Sequence, residues 1–159
     1  MARTKAPVDG AELVEKHWPY DGPHSGDSVI EAARAMSTLA TYLGNATGPG
    51  NGKKTLQYGP QVYRVVGALS GALASLDQVL EQLATAERRI GLDPTAYDDR
   101  REKTAAEVAA EAAKQIEAAR QLLFQNPFHG DRQKATVHTH LAAAHSTTSR
   151  IGHERRGSN

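Results

Sequence analysis

The stretch Thr47-Gly-Pro-Gly-Asn-Gly-Lys-Lys-Thr55 comes closest to a chemical motif in this chain. A phosphate-binding loop reads G-x-x-x-x-G-K-[ST], so that backbone N–H groups wrap the phosphates and a hydroxyl meets magnesium. With Gly52 and Lys53 in register, Thr47 stands where the first glycine is needed and Lys54 where the hydroxyl is needed. Both positions fail, and no strand precedes the loop. The segment therefore reads as a linker, whose Lys53 and Lys54 remain candidate phosphate contacts.

Histidines are the second set. Five of the seven, His129, His138, His140, His145 and His153, lie near the C-terminus. On a helix His138 and His140 point to different faces. The positions one turn after His138 are Leu141 and Ala142, neither of which ligates a metal. Nor does cysteine help to complete four ligands, since the chain has none. No metal site is expected. Arg132, Lys134, Arg150, Arg155 and Arg156 share this tail and are candidate nucleic-acid contacts, although no recognition helix or zinc finger precedes them. The charge run Asp98–Lys103 holds acids and bases in equal number. Carboxylates there complement a helix N-terminus and read as a solvated face. No catalytic residue and no cofactor is expected.

The elements that would position these residues are helical. Val62, Leu69, Leu76, Leu83 and Ile90 recur every seventh residue, with Val66, Leu73 and Leu80 four positions after the first three. This spacing draws one apolar stripe along a helix, roughly 46 Å long from Pro60 to Ile90 at about 1.5 Å per residue. Gly67 and Gly71 inside it suggest a closely approaching helix, because each costs about 1 kcal/mol relative to alanine. An earlier helix, Ser28–Leu43, opens on a capping-box spacing of Ser28 and Glu31 and stops at Gly44. Its face is Val29, Ala32, Met36, Leu39, Ala40 and Leu43. A third helix, Pro94–Gln125, follows the short link Gly91-Leu-Asp-Pro94, which implies an antiparallel hairpin. Ala105, Val108, Ala109, Ala112, Ile116, Ala119 and Leu123 form its face, and its opposite side carries Glu107, Glu111, Lys114, Glu117 and Arg120 in i,i+3 pairs. A short fourth helix is suggested by Val137, Leu141 and Ala142–Ala144.

The expected fold is thus all-α, with three main helices in a bundle. It divides as an arm over 1–26, a helical domain over 27–126 and a polar tail over 127–159. The arm holds three prolines, a short helical turn over Glu12–His17, and Trp18 as an anchor. Absence of cysteine fits a reducing cytoplasm, and a net charge of +1 calls for no polyanionic partner. Met1–Val8 has two basic residues without an apolar run behind them, so no secretory signal is read. The longest weakly polar run, Val65–Leu76, falls short of the ~20 residues that span a bilayer.

Ser28–Leu83 resembles small uncharacterised helical proteins of actinobacteria, some encoded near plasmid or conjugative-element genes. The matching residues are Tyr42-Leu43 with Ala46-Thr47, then Pro60, Val62-Tyr63, Leu69, and Leu76-Asp-Gln-Val-Leu-Glu-Gln-Leu-Ala84, covering about a third of the chain. They are mostly packing positions, and the resemblance implies no catalytic residue.

Because Ser28–Leu43 is about half as long as its neighbours, the stripe toward Leu83 and Ile90 is expected to lack cover. Leu76, Val79, Leu80, Leu83, Ile90 and Trp18 are the candidate partner interface, for a second copy or another helical protein. The function expected is a non-enzymatic helical adaptor. The alternative is a DNA-associated accessory protein of a mobile element that acts through its basic tail.

Overall fold

The computed structural model describes residues 8–124 and 137–148. These form six helices in chain order: α1 Gly10–His17, α2 Gly26–Thr47, α3 Gly52–Thr55, α4 Gly59–Gly91, α5 Ala105–Phe124 and α6 Val137–Thr148. Among the described residues there is no strand, and no helix is long and apolar enough to cross a membrane. The chain divides between Thr55 and Leu56 into two units.

The first unit holds α1, α2 and α3. Asp9 caps α1 by accepting from Ala11 N and Glu12 N, so a full helix forms where only the turn Glu12–His17 is expected. The capping box of α2 is Ser25 with Ser28, each hydroxyl accepting the other's backbone N–H at 3.1 and 2.9 Å. The expected Ser28–Glu31 box is not formed. Glu31 instead pairs with Arg34 at 2.6 Å. The helix also runs through Gly44 to Thr47 and stops at Gly48-Pro49, because an isolated glycine weakens a helix without ending it. Thr55 Oγ1 donates to Ala46 O at 2.7 Å and Asn51 Nδ2 to Asn45 O at 3.2 Å. These two bonds fold α3 back onto the end of α2.

The second unit holds α4, α5 and α6, which pack on one another. Pro60 occupies the first turn of α4, while Gln61 Oε1 accepts from Gln57 N and Tyr58 N. The seam between α4 and α5 is made of small residues. Ala84 and Ala113 are 1% and 0% exposed, and Ala109 is buried. Gly91 is buried too, and a Cβ built on it would collide with Ala109 Cβ while lying 3.2 Å from Ala105 O and from Ala106 Cα. Asp77, Ala84 and Gly91 are themselves seven apart, in a row about a third of a turn from the leucine row at 100° per residue. The close approach expected at Gly71 is not found: a Cβ there would meet nothing within 4 Å.

The start of the third helix also differs from expectation. Pro94 opens no helix, and α5 begins at Ala105. Asp93 accepts from Thr95 N at 2.8 Å and from its hydroxyl at 2.6 Å, which spends the proposed cap on a local turn. The cap of α5 is instead a Thr104–Glu107 box. Thr104 Oγ1 accepts from Glu107 N, and the Glu107 carboxylate accepts from Thr104 N at 2.8 Å. Between the two lies Asp98, whose carboxylate gathers the N–H groups of Arg100, Glu102 and Lys103 at 3.0–3.2 Å. Arg101 sits at φ +59°, with its guanidinium 4.3 Å over the Tyr97 ring. The run is largely exposed, as a solvated face would be, but it forms a hydrogen-bonded loop and not the start of the helix.

The charges of α5 also behave differently from the expected i,i+3 ladder. Glu117 reaches Arg88 of α4 at 2.6 Å. Arg120 forks onto Asp77, at 2.6 Å from Oδ1 and 3.0 Å from Oδ2, and approaches Glu81 at 3.0 Å. Glu111 takes Lys103.

Candidate interaction surfaces

Helix packing that seats alanine and glycine inward leaves larger side chains outside. On α4, Leu76 and Leu80 are half-buried, but Val79 is exposed, and Leu83 and Ile90 are 47% and 54% exposed. The sequence row that suggests a buried stripe thus lies partly on the surface of its own unit. Beside it runs an open depression of ≈ 460 Å³, lined by the polar residues Gln78, Glu81, Gln82, Thr85 and Arg89 and by Ala86. The C-terminal half of α4 therefore shows three strips: a small-residue seam, a polar strip and an apolar strip.

In the first unit, α1 and α2 flank an open, mostly apolar depression of ≈ 540 Å³. Leu13, Val14 and Trp18 form one wall and Ala35, Thr38 and Leu39 the other. Trp18 is half-buried here, with the His17 ring centroid 6.0 Å away at a 54° tilt. The polar groups of the depression include His17 and the Glu31–Arg34 pair. Trp18, read from sequence as part of one interface with Leu83 and Ile90, belongs to the first unit, and those residues to the second.

Electrostatics shape the second unit more than they equip a reactive site. The Arg120 fork holds the Asp77 carboxyl below its usual range, and Asp77 in turn raises Arg120. The backbone N–H groups of Glu102 and Lys103 hold Asp98 below its usual range. The Thr104 backbone and hydroxyl do the same for Glu107. Lys103 is raised, and Glu111 lowered, by the hydrogen bond between them. Each shift traces to a bond that fixes a loop, a cap or the α4–α5 pairing.

The chemical residues singled out from sequence are scattered. Lys53 and Lys54 lie on the four-residue α3, with Lys53 exposed. His138, His140 and His145 fall on α6. His129, His153, Arg132, Lys134, Arg150, Arg155 and Arg156 lie outside the described residues. Among the described residues, no group of three or more His, Cys, Asp or Glu side chains is placed to hold a metal ion. Sequence reasoning missed the α1–α2 depression, whose signal was Asp9 followed by Leu13, Val14 and Trp18 at helical spacing. No protein-family model, curated protein or solved structure matches this chain.

Proposed function

We propose that the protein is a non-enzymatic helical adaptor that binds another helical protein through α4. One observation carries the reading: Val79, Leu83 and Ile90 stand exposed along one side of a 33-residue helix, although its inner seam is closed by alanine and glycine. A large apolar side chain contributes about 1.5–3 kcal/mol when it leaves water. A second helix laid along this strip buries three such residues and the half-buried Leu76 and Leu80 beside them. This is the helix-on-helix mode of recognition, with anchors near i, i+4 and i+11. The polar strip of Glu81, Gln82 and Arg89 would form its rim, as apolar interface centres are bordered by polar residues. The finer architecture belongs to the same reading. Asp77 beside Arg120 and Gly91 beside Ala105–Ala109 support an antiparallel pairing of α4 with α5, with α6 as the third member. The likeness to small helical proteins of actinobacteria, some encoded near plasmid or conjugative-element genes, and a cytoplasmic setting are proposed with it.

The test is affinity capture from host extract with the full chain and its Leu83→Glu variant, with half of each sample treated with nuclease. The expected result is a nuclease-resistant helical partner retained by the wild-type chain and lost by Leu83→Glu, whose far-UV circular dichroism stays unchanged. A partner held equally by both chains refutes the α4 surface. Capture abolished by nuclease transfers the function to the DNA-associated alternative.

A further inference from the structure

Within the first unit, the face of α2 turned away from α1 carries a second and independent pattern. Val29, Ala33, Met36, Ala40, Leu43 and Thr47 follow one another at steps of four and three residues, the spacing of a two-helix seam. Val29 and Met36 are 58% and 50% exposed, Ala33, Ala40 and Thr47 are exposed, and Leu43 is half-buried. The side of α2 that faces α1 is a different one, made by Glu31, Arg34, Ala35, Thr38 and Leu39. At 100° per residue the centres of the two faces lie almost half a turn apart.

Along this seam large and small residues alternate: Val29, Met36 and Leu43 against Ala33, Ala40 and Thr47. That alternation is self-complementary in one arrangement. When a second α2 is laid antiparallel with the two-fold axis level with Thr38, Met36 meets Ala40 of the second copy, Leu43 meets Ala33, and Val29 meets Thr47. Every layer then holds one large and one small side chain, as interdigitated packing requires. The pairing is also reciprocal, as a two-fold interface demands. In a parallel pair, Met36 would instead face Met36 and Ala40 would face Ala40, with alternate layers crowded and empty.

Charge points the same way. The positions flanking the seam are Ile30, Ala32, Ser37, Leu39, Gly44 and Ala46, all uncharged, and no ionisable acid or base occurs between Arg34 and Lys53 except the Tyr42 phenol. A charged partner would find nothing to pair with, whereas two copies meet without like-charge repulsion. The hydroxyl of Thr47 is already satisfied, donating to Leu43 O at 2.8 Å. Covering it therefore strands no donor. Antiparallel helices also oppose their macrodipoles favourably.

We infer that the α2 face of Val29, Met36, Ala40 and Leu43 is a self-association surface that pairs two copies of the chain antiparallel about Thr38. The inference does not depend on the α4 surface and can fail or hold separately from it. The chain has no cysteine, so introduced thiols report the register directly. Full-length Met36→Cys and Ala40→Cys chains are mixed in equal amounts, oxidised and read by intact mass. The mixed disulfide is expected to exceed either homodisulfide at least fivefold. In parallel, light scattering of the wild-type chain is expected to give twice the 17.1 kDa monomer mass. Met36→Glu should weaken the dimer at least tenfold at unchanged helicity, and Leu83→Glu should leave it intact. A monomeric wild-type chain, a dominance of homodisulfides, or a dimer lost in Leu83→Glu but kept in Met36→Glu would each overturn the inference.

Discussion

Two glycines of the same helix are expected to respond to alanine with opposite sign. Gly71 lies in α4 with open space where its Cβ would go. Gly71→Ala therefore gains the helix propensity difference, about 1 kcal/mol. Gly91→Ala would gain no more than that, but its new methyl collides with Ala109 Cβ and presses on Ala105 O and Ala106 Cα at 3.2 Å. Overpacking costs about 1–3 kcal/mol. Two of the three contacts are backbone atoms in the first turn of α5, which cannot rotate aside, so the upper half of that range applies. The net is a loss of about 1–2 kcal/mol, and the two variants separate by about 2–3 kcal/mol. In a domain of 60–100 residues each kcal/mol is worth about 4–8 °C in melting temperature. The assay is urea unfolding of the full chain by far-UV circular dichroism. In a double-mutant cycle Ala109→Gly should couple to Gly91→Ala by about 1 kcal/mol, the combined loss being smaller than the sum of the two single losses. If Gly91→Ala raises the midpoint as Gly71→Ala does, the account of the α4–α5 seam is wrong.

Thr104→Ala removes the cap of α5 and should cost about 0.5–2 kcal/mol, read from the same urea transition, whereas Pro94→Ala, which starts no helix, should change it by far less. Asp98 titrates below its ordinary value in the folded chain, so its contribution is fully present above the unfolded value near 3.8 and is lost as pH falls through the lower folded value. Asp98→Asn should accordingly lower stability at pH 7 and flatten the acid limb of a stability–pH curve; an unchanged acid limb would remove Asp98 from that role. Lys103 is raised above 10.5 by Glu111, so its contribution holds below that pH and fades above it, and Lys103→Met should erase that alkaline loss. Leu76→Glu, at a half-buried position, should unfold the second unit in thermal melts, where Leu83→Glu at an exposed one should not.

How much of this was legible in the sequence differs between elements. The long helix was plain, because the heptad row from Val62 to Ile90 and the proline at its start agree. Its inner face was not. Hydrophobic weighting follows leucine, but the row that α5 covers is Asp77, Ala84 and Gly91, which has the same sevenfold spacing and little apolar weight. Helix ends were misread where one glycine or one Asp-Pro pair was trusted: Gly44 does not stop α2, and Asp93-Pro94 does not start α5. The correct start was visible as Thr104-x-x-Glu107, a capping box that the nearer Asp93-Pro94 pair obscured. For the candidate surfaces, the identity of the apolar residues on α2 and α4 was readable. Their exposure was not, since burial depends on which elements pack together.

The α4–α5 seam also changes what a mutational survey of this protein would reveal. Systematic replacement by alanine, the usual way to locate a hydrophobic centre, would pass over Ala84, Ala109 and Ala113 in silence, because those positions hold alanine already. The map it returned would highlight leucines and arginines at the margins and leave the middle blank. A complementary scan that enlarges each residue in turn would show the reverse. The centre of this seam therefore has little volume to lose and no room for more, so random variation will damage it chiefly through changes that add atoms.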